Sequence, residues 1–478
     1  MSVIPRSPFL AVLPPVMSTH VPPASASSTY QGVRATGVAR SLAGARLVGR
    51  ALAGRATAGR AIATTVRQRR EAAAGGAERP GSERPGDDRF QIARLASHAE
   101  IDALRPEWEQ LYEAGHQNPF HDPGWLLAWA RTYVPADEDL WVITVRREGR
   151  LIGVLPCYRA QLGYGTRLGL QGLAFRSIQL FGCLITSGIT ELPSPLAHPR
   201  EDPRAITRAA LRWLVDQAPA QAGAHWIEVT LDRDVPWLEA QWFRPTSTLE
   251  HPPTIMAKAP RAVVTLPLPA GAEPLVLKRN VKESVRRARN RLTKSGRPWS
   301  VRAVTDEKEI ATAFETLRTL HSARSSLAGK EAHTNSLTGE AARFLSEAVV
   351  DLAARGRAAI YQLELDGTVI AAQLVLTTSH ASYLSVSGLS AEAWEYSPMA
   401  LIIHTVATDA IARGADRLHL SAGPDEAKLR WSEQVDYYPQ FLVVPPTTQA
   451  RLAFAAYWPL SAALRYRREF RLHTIREG

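Results

Sequence analysis

Cysteine is nearly absent from this 478-residue chain, which has only Cys157 and Cys183. So few thiols exclude a disulfide-framed secreted scaffold and a Cys-rich structural zinc site; both are expected reduced, in a core. No apolar run reaches the ~18 residues that a membrane-spanning helix needs. Acidic side chains are missing from the first 70 residues, which hold ten arginines and no lysine. The rest of the chain then carries 47 Lys and Arg against 46 Asp and Glu. The overall charge of +11 therefore belongs to the N-terminal stretch, and the remainder is nearly neutral, which weakens any general argument for a nucleic-acid partner. The sequence also lacks H-E-x-x-H and G-x-S-x-G, and Gly329-Lys330 has no glycine at the Walker spacing. Its 13 histidines show no ligand spacing, so no metal is expected.

Residues 1–88 are rich in Ala, Arg, Gly, Pro and Ser, with few large apolar side chains to offset the entropy of ordering. They are read as a disordered tail; a transit peptide, a translated leader and a basic arm are the other readings. The start, MSVIPRSPFLAVLPPVM, has prolines where a signal peptide needs an unbroken apolar stretch. Two R-x-x-G-x-A matches, at 34–39 and 46–51, are rejected as acyl-CoA loops because neither follows a strand pattern.

Folded structure is expected from about Phe90. Helices are predicted over 98–114 (Ile101, Leu104, Trp108 and Leu111 on one face), from Pro123 through Trp129, and over 203–218. Strands are predicted at 140–145, 151–158, 177–185 and 226–231, giving an α/β unit over 89–255 that ends at Pro252-Pro253. A second unit, 256–446, is predicted to hold strands at 262–266, 358–365, 369–377, 381–388, 417–420 and 438–444. Its helices are placed at about 273–295, 306–327, 337–354, 398–412 and 425–433. A closing helix is expected within 447–478. Glu148-Gly149 and Asp366-Gly367 each form a hairpin turn followed by a strand with matched small residues, then a helix and another strand. This echo suggests two copies of one unit.

Six pieces, in order, carry a family resemblance. They are Asn118-Pro-Phe-His-Asp-Pro-Gly-Trp125, Gly149-Arg-Leu-Ile-Gly-Val-Leu-Pro156, the basic stretch from Lys278 to Leu292, Leu320-His321-Ser-Ala-Arg324, Tyr396-Ser-Pro-Met-Ala-Leu401, and Gly423-Pro-Asp-Glu-Ala-Lys428-Leu-Arg-Trp431. Over about 90–445 the chain resembles the CelD/BcsL-type (BioF-like) acetyltransferases, which are similar in fold to Fem peptidyltransferases. The resemblance implies an α/β fold of two tandem GNAT-like units with mixed central sheets. It also implies transfer from acetyl-CoA or another acyl-CoA to an amine or hydroxyl of a sugar or related small acceptor, in the cytoplasm, for polysaccharide, cellulose or envelope synthesis. Three positions depart from the family pattern: Met399 replaces a glycine, Ala427 an aromatic residue, and no acidic residue stands just before Gly423.

Under this resemblance Ser397, Pro398, Met399, Ala400 and Leu401 open a helix whose N-terminus would receive the CoA pyrophosphate; Ser397 is the expected N-cap. The bland alternative is an ordinary capped helix. His321 is a candidate general base, or a satisfied helix histidine. Glu426 and Lys428 are catalytic candidates because they follow a strand end. Arg324 and Trp431 are candidate substrate contacts, and Trp431 is equally a core residue. The cations from Lys278 to Arg297 are read as a solvated face or as an anion site for CoA phosphates, an anionic glycan or tRNA. A Fem-like aminoacyl-tRNA-dependent transferase and a catalytically degenerate scaffold remain the other readings.

Overall fold

The computed structural model describes residues 90–115, 118–163, 174–183, 189–232, 252–271, 273–326 and 335–459. The tail over 1–88 and its arginine motifs lie outside the described residues. In chain order the first half runs β1 (Gln91–Leu95), α1 (His98–Ala114), α2 (Pro123–Tyr133), β2 (Leu140–Arg147), β3 (Arg150–Gly163), β4 (Ala174–Leu180), a short β5 (Leu196–Ala197), α3 (Pro203–Ala222) and β6 (Trp226–Thr230). After β7 (Thr254–Pro267) and α4 (Arg279–Lys294) the pattern returns. It continues as β8 (Trp299–Val304), α5 (Glu307–Ser325), α6 (Gly339–Ala354), β9 (Ala358–Leu365), β10 (Thr368–Thr377), β11 (Ala381–Leu389), α7 (Pro398–Ala412) and β12 (Arg417–Ala422). The short α8 (Glu426–Leu429) and β13 (Val435–Val444) follow, and residues 448–459 are helical.

Each half thus places two helices between its first two strands and one helix between its last two. Pairing repeats as well. β1-β2-β3-β4 and β8-β9-β10-β11 are antiparallel ribbons, and the crossover helices α3 and α7 lead to the parallel pairs β4–β6 and β11–β12. The matched hairpins are two-residue turns with positive φ at both positions, 51° and 79° at Glu148 and Gly149, 56° and 72° at Asp366 and Gly367. That geometry suits the twist of the flanking strands. The fold is mixed α/β with a large mixed sheet, as expected, and its two halves repeat one arrangement of strands and helices.

The halves exchange their last strands. β7 follows the first half in sequence but pairs with β12, β13 follows the second half but pairs with β6, and the two pair antiparallel with each other. Among the described residues a single sheet of 13 strands results, nearly symmetric about the β13–β7 pair. The helical layer is also shared: α1, α2, α5 and α6 contribute to one core, where Trp125 meets Phe344 edge-to-face at 4.9 Å. The opposite face is covered by α3 in the first half and by α4 and α7 in the second. Both cysteines are free and buried.

Several elements differ from expectation. The edge strands β1 and β8 were not expected; their half-exposed side chains give no clean apolar alternation. α4 begins at Arg279, six residues after the expected start at 273. Leu275 and Leu277 pack on the core, and that spacing of two suits extended chain, not a helix. α8 is shorter than expected because the chain from 430 turns back into β13, which starts at Val435.

Candidate active site

β11 and β12 pair in parallel only from Ala381/Arg417 to Tyr383/His419, then diverge. β11 also carries an irregularity opposite Gln373–Val375 of β10. Where strands separate, the main-chain groups that a neighbour would satisfy need another partner, so the opening is a ready cradle for an extended amide-bearing chain. α7 starts just beyond β11. Pro398 occupies its first turn, and the amide of Met399 has no intrahelical acceptor by position.

Ser397 does not act as the expected N-cap. It sits in the left-handed region (φ 54°, ψ 51°) and its side chain makes no capping bond. Arg291 of α4 instead donates to the Glu395 carbonyl at 2.7 Å and to Ser397 Oγ at 3.4 Å. The basic helix therefore stands beside the start of α7. Met399 and Ala400 are half-buried against the core under α7, and Leu401 is buried in it. The first-turn amides, the helix dipole and the neighbouring guanidinium fit an anionic group such as a pyrophosphate. Glu283 pairs with Arg286 and Arg287. Arg279, Lys282, Arg289 and Lys294 have no carboxylate at ion-pair distance among the described residues.

His321 lies on α5 against β11. Its Nδ1 donates to the Ser387 carbonyl at 2.7 Å, and its Nε2 accepts from the Ser336 amide at 3.1 Å. Both ring nitrogens are occupied and the tautomer is set by these partners. That arrangement braces the helix on the strand and does not offer the Nε2 lone pair to a substrate. One turn on, Arg324 donates to Ser387 Oγ at 2.8 Å. Burial lowers its pKa from the ordinary arginine value, and no carboxylate pairs with it among the described residues. A half-buried cation without a counter-ion suits an anionic or strongly dipolar ligand group.

Lys428 Nζ donates to the carbonyls of Ala422 at 2.7 Å and Gly423 at 2.9 Å and pairs with Asp425 at 3.3 Å. It clamps the turn that leaves β12, and Asp425 caps α8 by accepting from the Lys428 amide at 2.9 Å. Glu426 is exposed in the first turn of α8. Trp431 is buried with the α4 and α7 side chains, the core placement and not a pocket wall. His321 and Arg324 therefore converge on Ser387, while Glu426, Lys428 and Trp431 belong to the turn after β12.

Two groups at the opening were not found from sequence. His419 stacks on Tyr383 at 4.2 Å, and its Nδ1 lies 3.1 Å from Thr265 Oγ1, which donates to Asp436 Oδ2 at 2.7 Å. Glu191, from the first half, is 7% exposed; it accepts from the Ser421 hydroxyl and from the Ala422 amide at 2.9 Å. Burial raises its pKa, while the Ser421 and Ala422 hydrogen bonds and the charges of Lys428 and Arg261 oppose that rise. An acid does stand beside Gly423, then, brought by a contact 230 residues away in sequence. No local pattern could have indicated it. A cavity of about 460 Å³ at Gly124, Arg131, Glu347 and Asp351 lies between α2 and α6 and includes none of these groups.

Residues 279–429 match the family model described as an acetyltransferase (GNAT) domain, spanning α4 to α8. Among solved structures, the fold is similar to the C-terminal domain of a putative lysylphosphatidylglycerol synthetase from Agrobacterium fabrum (TM-score 0.44, 14% identity, 75% of this chain and 95% of that one). It is similar to FemX (TM-score 0.45, 14% identity, 74% and 97%) and to a tandem GNAT protein from the clavulanic acid biosynthesis pathway (TM-score 0.37, 12% identity, 75% and 99%). No curated protein matches the chain. The second half carries an acyltransferase domain of GNAT fold.

Proposed function

We propose that the second half transfers an acyl group from acetyl-CoA or another acyl-CoA to an amine or hydroxyl of a sugar or related small acceptor. The observation that carries this reading is the divergence of β11 and β12 after Tyr383/His419, in front of the α7 N-terminus and inside the segment matching the GNAT domain. The pantetheine arm would lie along the separated edge of β11, with the pyrophosphate at Met399–Leu401 beside Arg291. The thioester carbonyl would then face the end of β12. Acyl-CoA supplies the activated acyl group; the protein positions it and handles the acceptor's proton. The CelD/BcsL-type resemblance points to an acceptor in polysaccharide or envelope synthesis and to a cytoplasmic setting.

Thermal-shift titration with acetyl-CoA, longer acyl-CoAs and free CoA tests the donor. A ligand that binds only the folded state adds about 2.7 kcal/mol of stability at 100-fold excess over Kd. No shift with any of the three would overturn the reading.

The exposed cations of α4 favour one second reading, a Fem-like donor of aminoacyl-tRNA. Changing Arg286, Arg287 and Arg289 together to Glu leaves the buried seam Val281, Val285, Ala288 and Leu292 intact. If tRNA is the donor, gel-shift affinity falls steeply with salt, by about 0.7 log units per phosphate contact for each decade of salt, and the triple variant loses it. Under the acyl-CoA reading the triple variant weakens CoA modestly and shows no tRNA phenotype. The assay uses protein lacking the Arg-rich tail, whose ten arginines would bind RNA on their own.

A further inference from the structure

Glu191, between β4 and β5, reaches from the first half to the end of β12, and this contact gives the acyl-transfer site a part that its own half lacks. Ser421 adopts a left-handed backbone, φ 74°, at the strand end, followed by Gly423 with φ 81°. The Gly423 amide is taken by the Ala262 carbonyl of β7 at 2.8 Å. The Ala422 amide and the Ser421 hydroxyl both turn to Glu191. A non-glycine residue held in this backbone region is uncommon and strained; here it aims a half-buried hydroxyl at a buried carboxylate. The groups facing Glu191 are Lys428, itself tied to Asp425 and two carbonyls, and Arg261 of β7, which donates to the Glu191 carbonyl at 2.7 Å.

Resting on the acyl-CoA reading above, we propose that Ser421 and Glu191 form a proton relay for the acceptor, with Ser421 touching the nucleophile and Glu191 acting through it as the positioning residue and proton store. The acceptor's N–H or O–H is placed on Ser421 Oγ. As the nitrogen or oxygen forms its bond to the thioester carbon, Ser421 takes that hydrogen and passes its own to Glu191. The C–S bond then breaks and CoA leaves as thiolate. Glu191 returns its proton to solvent and the thiolate takes one from solvent; the acceptor's hydrogen stays on Ser421, and in the net balance one hydrogen leaves the acceptor and one is gained by sulfur. The relay spans both halves, which gives the first half a role in the chemistry although it lies outside the segment matching the GNAT domain.

The test compares wild type with Glu191→Gln, Glu191→Asp and Ser421→Ala. Release of free thiol from acetyl-CoA is followed between pH 5 and 9 with a panel of amino sugars as acceptor probes. Calorimetric acetyl-CoA affinity and melting temperature are measured alongside. Wild-type turnover should fall on acidification, when Glu191 is protonated. Glu191→Gln should lose about 100-fold in rate and the acid limb of the profile, with acetyl-CoA affinity within twofold of wild type. Glu191→Asp should recover part of the rate with its limb shifted, and Ser421→Ala should lose at least tenfold. A Glu191→Gln variant with wild-type rate and profile would overturn the relay alone. So would a loss of rate that only tracks a fall in melting temperature, with no change in profile. A wild type that neither binds acetyl-CoA nor releases thiol would overturn the acyl-CoA reading, and the relay with it.

Discussion

Gly388 of β11 and the backbone of His321 in α5 touch where no side chain fits: a Cβ on Gly388 would stand 2.4 Å from His321 N and 2.7 Å from the Leu320 carbonyl carbon. The obstacle is helix backbone, which cannot rotate away. Through this close approach His321 reaches the Ser387 carbonyl, and Arg324 the Ser387 hydroxyl, at the separated edge of β11.

Gly388→Ala should push α5 off the strand. Overpacking of this kind costs about 1–3 kcal/mol, so denaturant titration should show a lower midpoint. Acyl-CoA affinity should fall by more than the stability loss explains, because β11 shifts at the donor cradle. Unchanged stability and affinity would remove α5 from the site.

Arg324→Gln should separate stability from function. The guanidinium is half-buried, no carboxylate pairs with it among the described residues, and burial already depresses its pKa. Removing the charge while keeping a donor for Ser387 Oγ should leave the melting temperature equal or higher, since an unpaired cation is costly to desolvate. Turnover should drop at least tenfold if Arg324 meets the ligand; full activity would make it a brace only.

Ala400→Asp places an acid in the first turn of α7, where the helix dipole favours it. The fold should survive, with an unchanged melting temperature. Acyl-CoA affinity measured by calorimetry should fall about tenfold or more through repulsion of the pyrophosphate. Unaltered affinity would move the phosphates elsewhere.

The neighbours His121 and Asp122 should oppose each other in acid. Burial lowers the His121 pKa from 6.5 to about 4, so the folded protein holds fewer protons there and its contribution is lost as pH falls from 6.5 toward 4. Burial raises the Asp122 pKa from 3.8 to about 6 despite its pairs with Arg355 and Arg357, so its contribution is greatest in acid and is lost as pH rises toward 6. Each is worth up to about 3 kcal/mol. Denaturation midpoints between pH 4 and 7 should therefore rise on acidification in His121→Gln relative to wild type, and fall in Asp122→Asn. Parallel slopes in all three proteins would contradict this assignment.

What could be read from the sequence was local. The seam Ile101, Leu104, Trp108 and Leu111 sets α1 because one helical face repeats every three to four residues. Glu148-Gly149 and Asp366-Gly367 set two hairpins because their turn residues tolerate positive φ. The echo between those hairpins was enough to suggest duplication. Tertiary structure decided which strand lies beside which. The exchange of β7 and β13 leaves each strand's own pattern unchanged, since a strand's side-chain alternation does not specify which neighbour it pairs with. The same holds for side-chain roles. Whether His321 is a base or a brace depends on Ser387 and Ser336, and the acid missing before Gly423 is supplied by Glu191 from the other half. Period and turn chemistry act over a few residues and are written in the sequence, whereas hydrogen-bond satisfaction at a buried site is settled only once distant segments fold against each other.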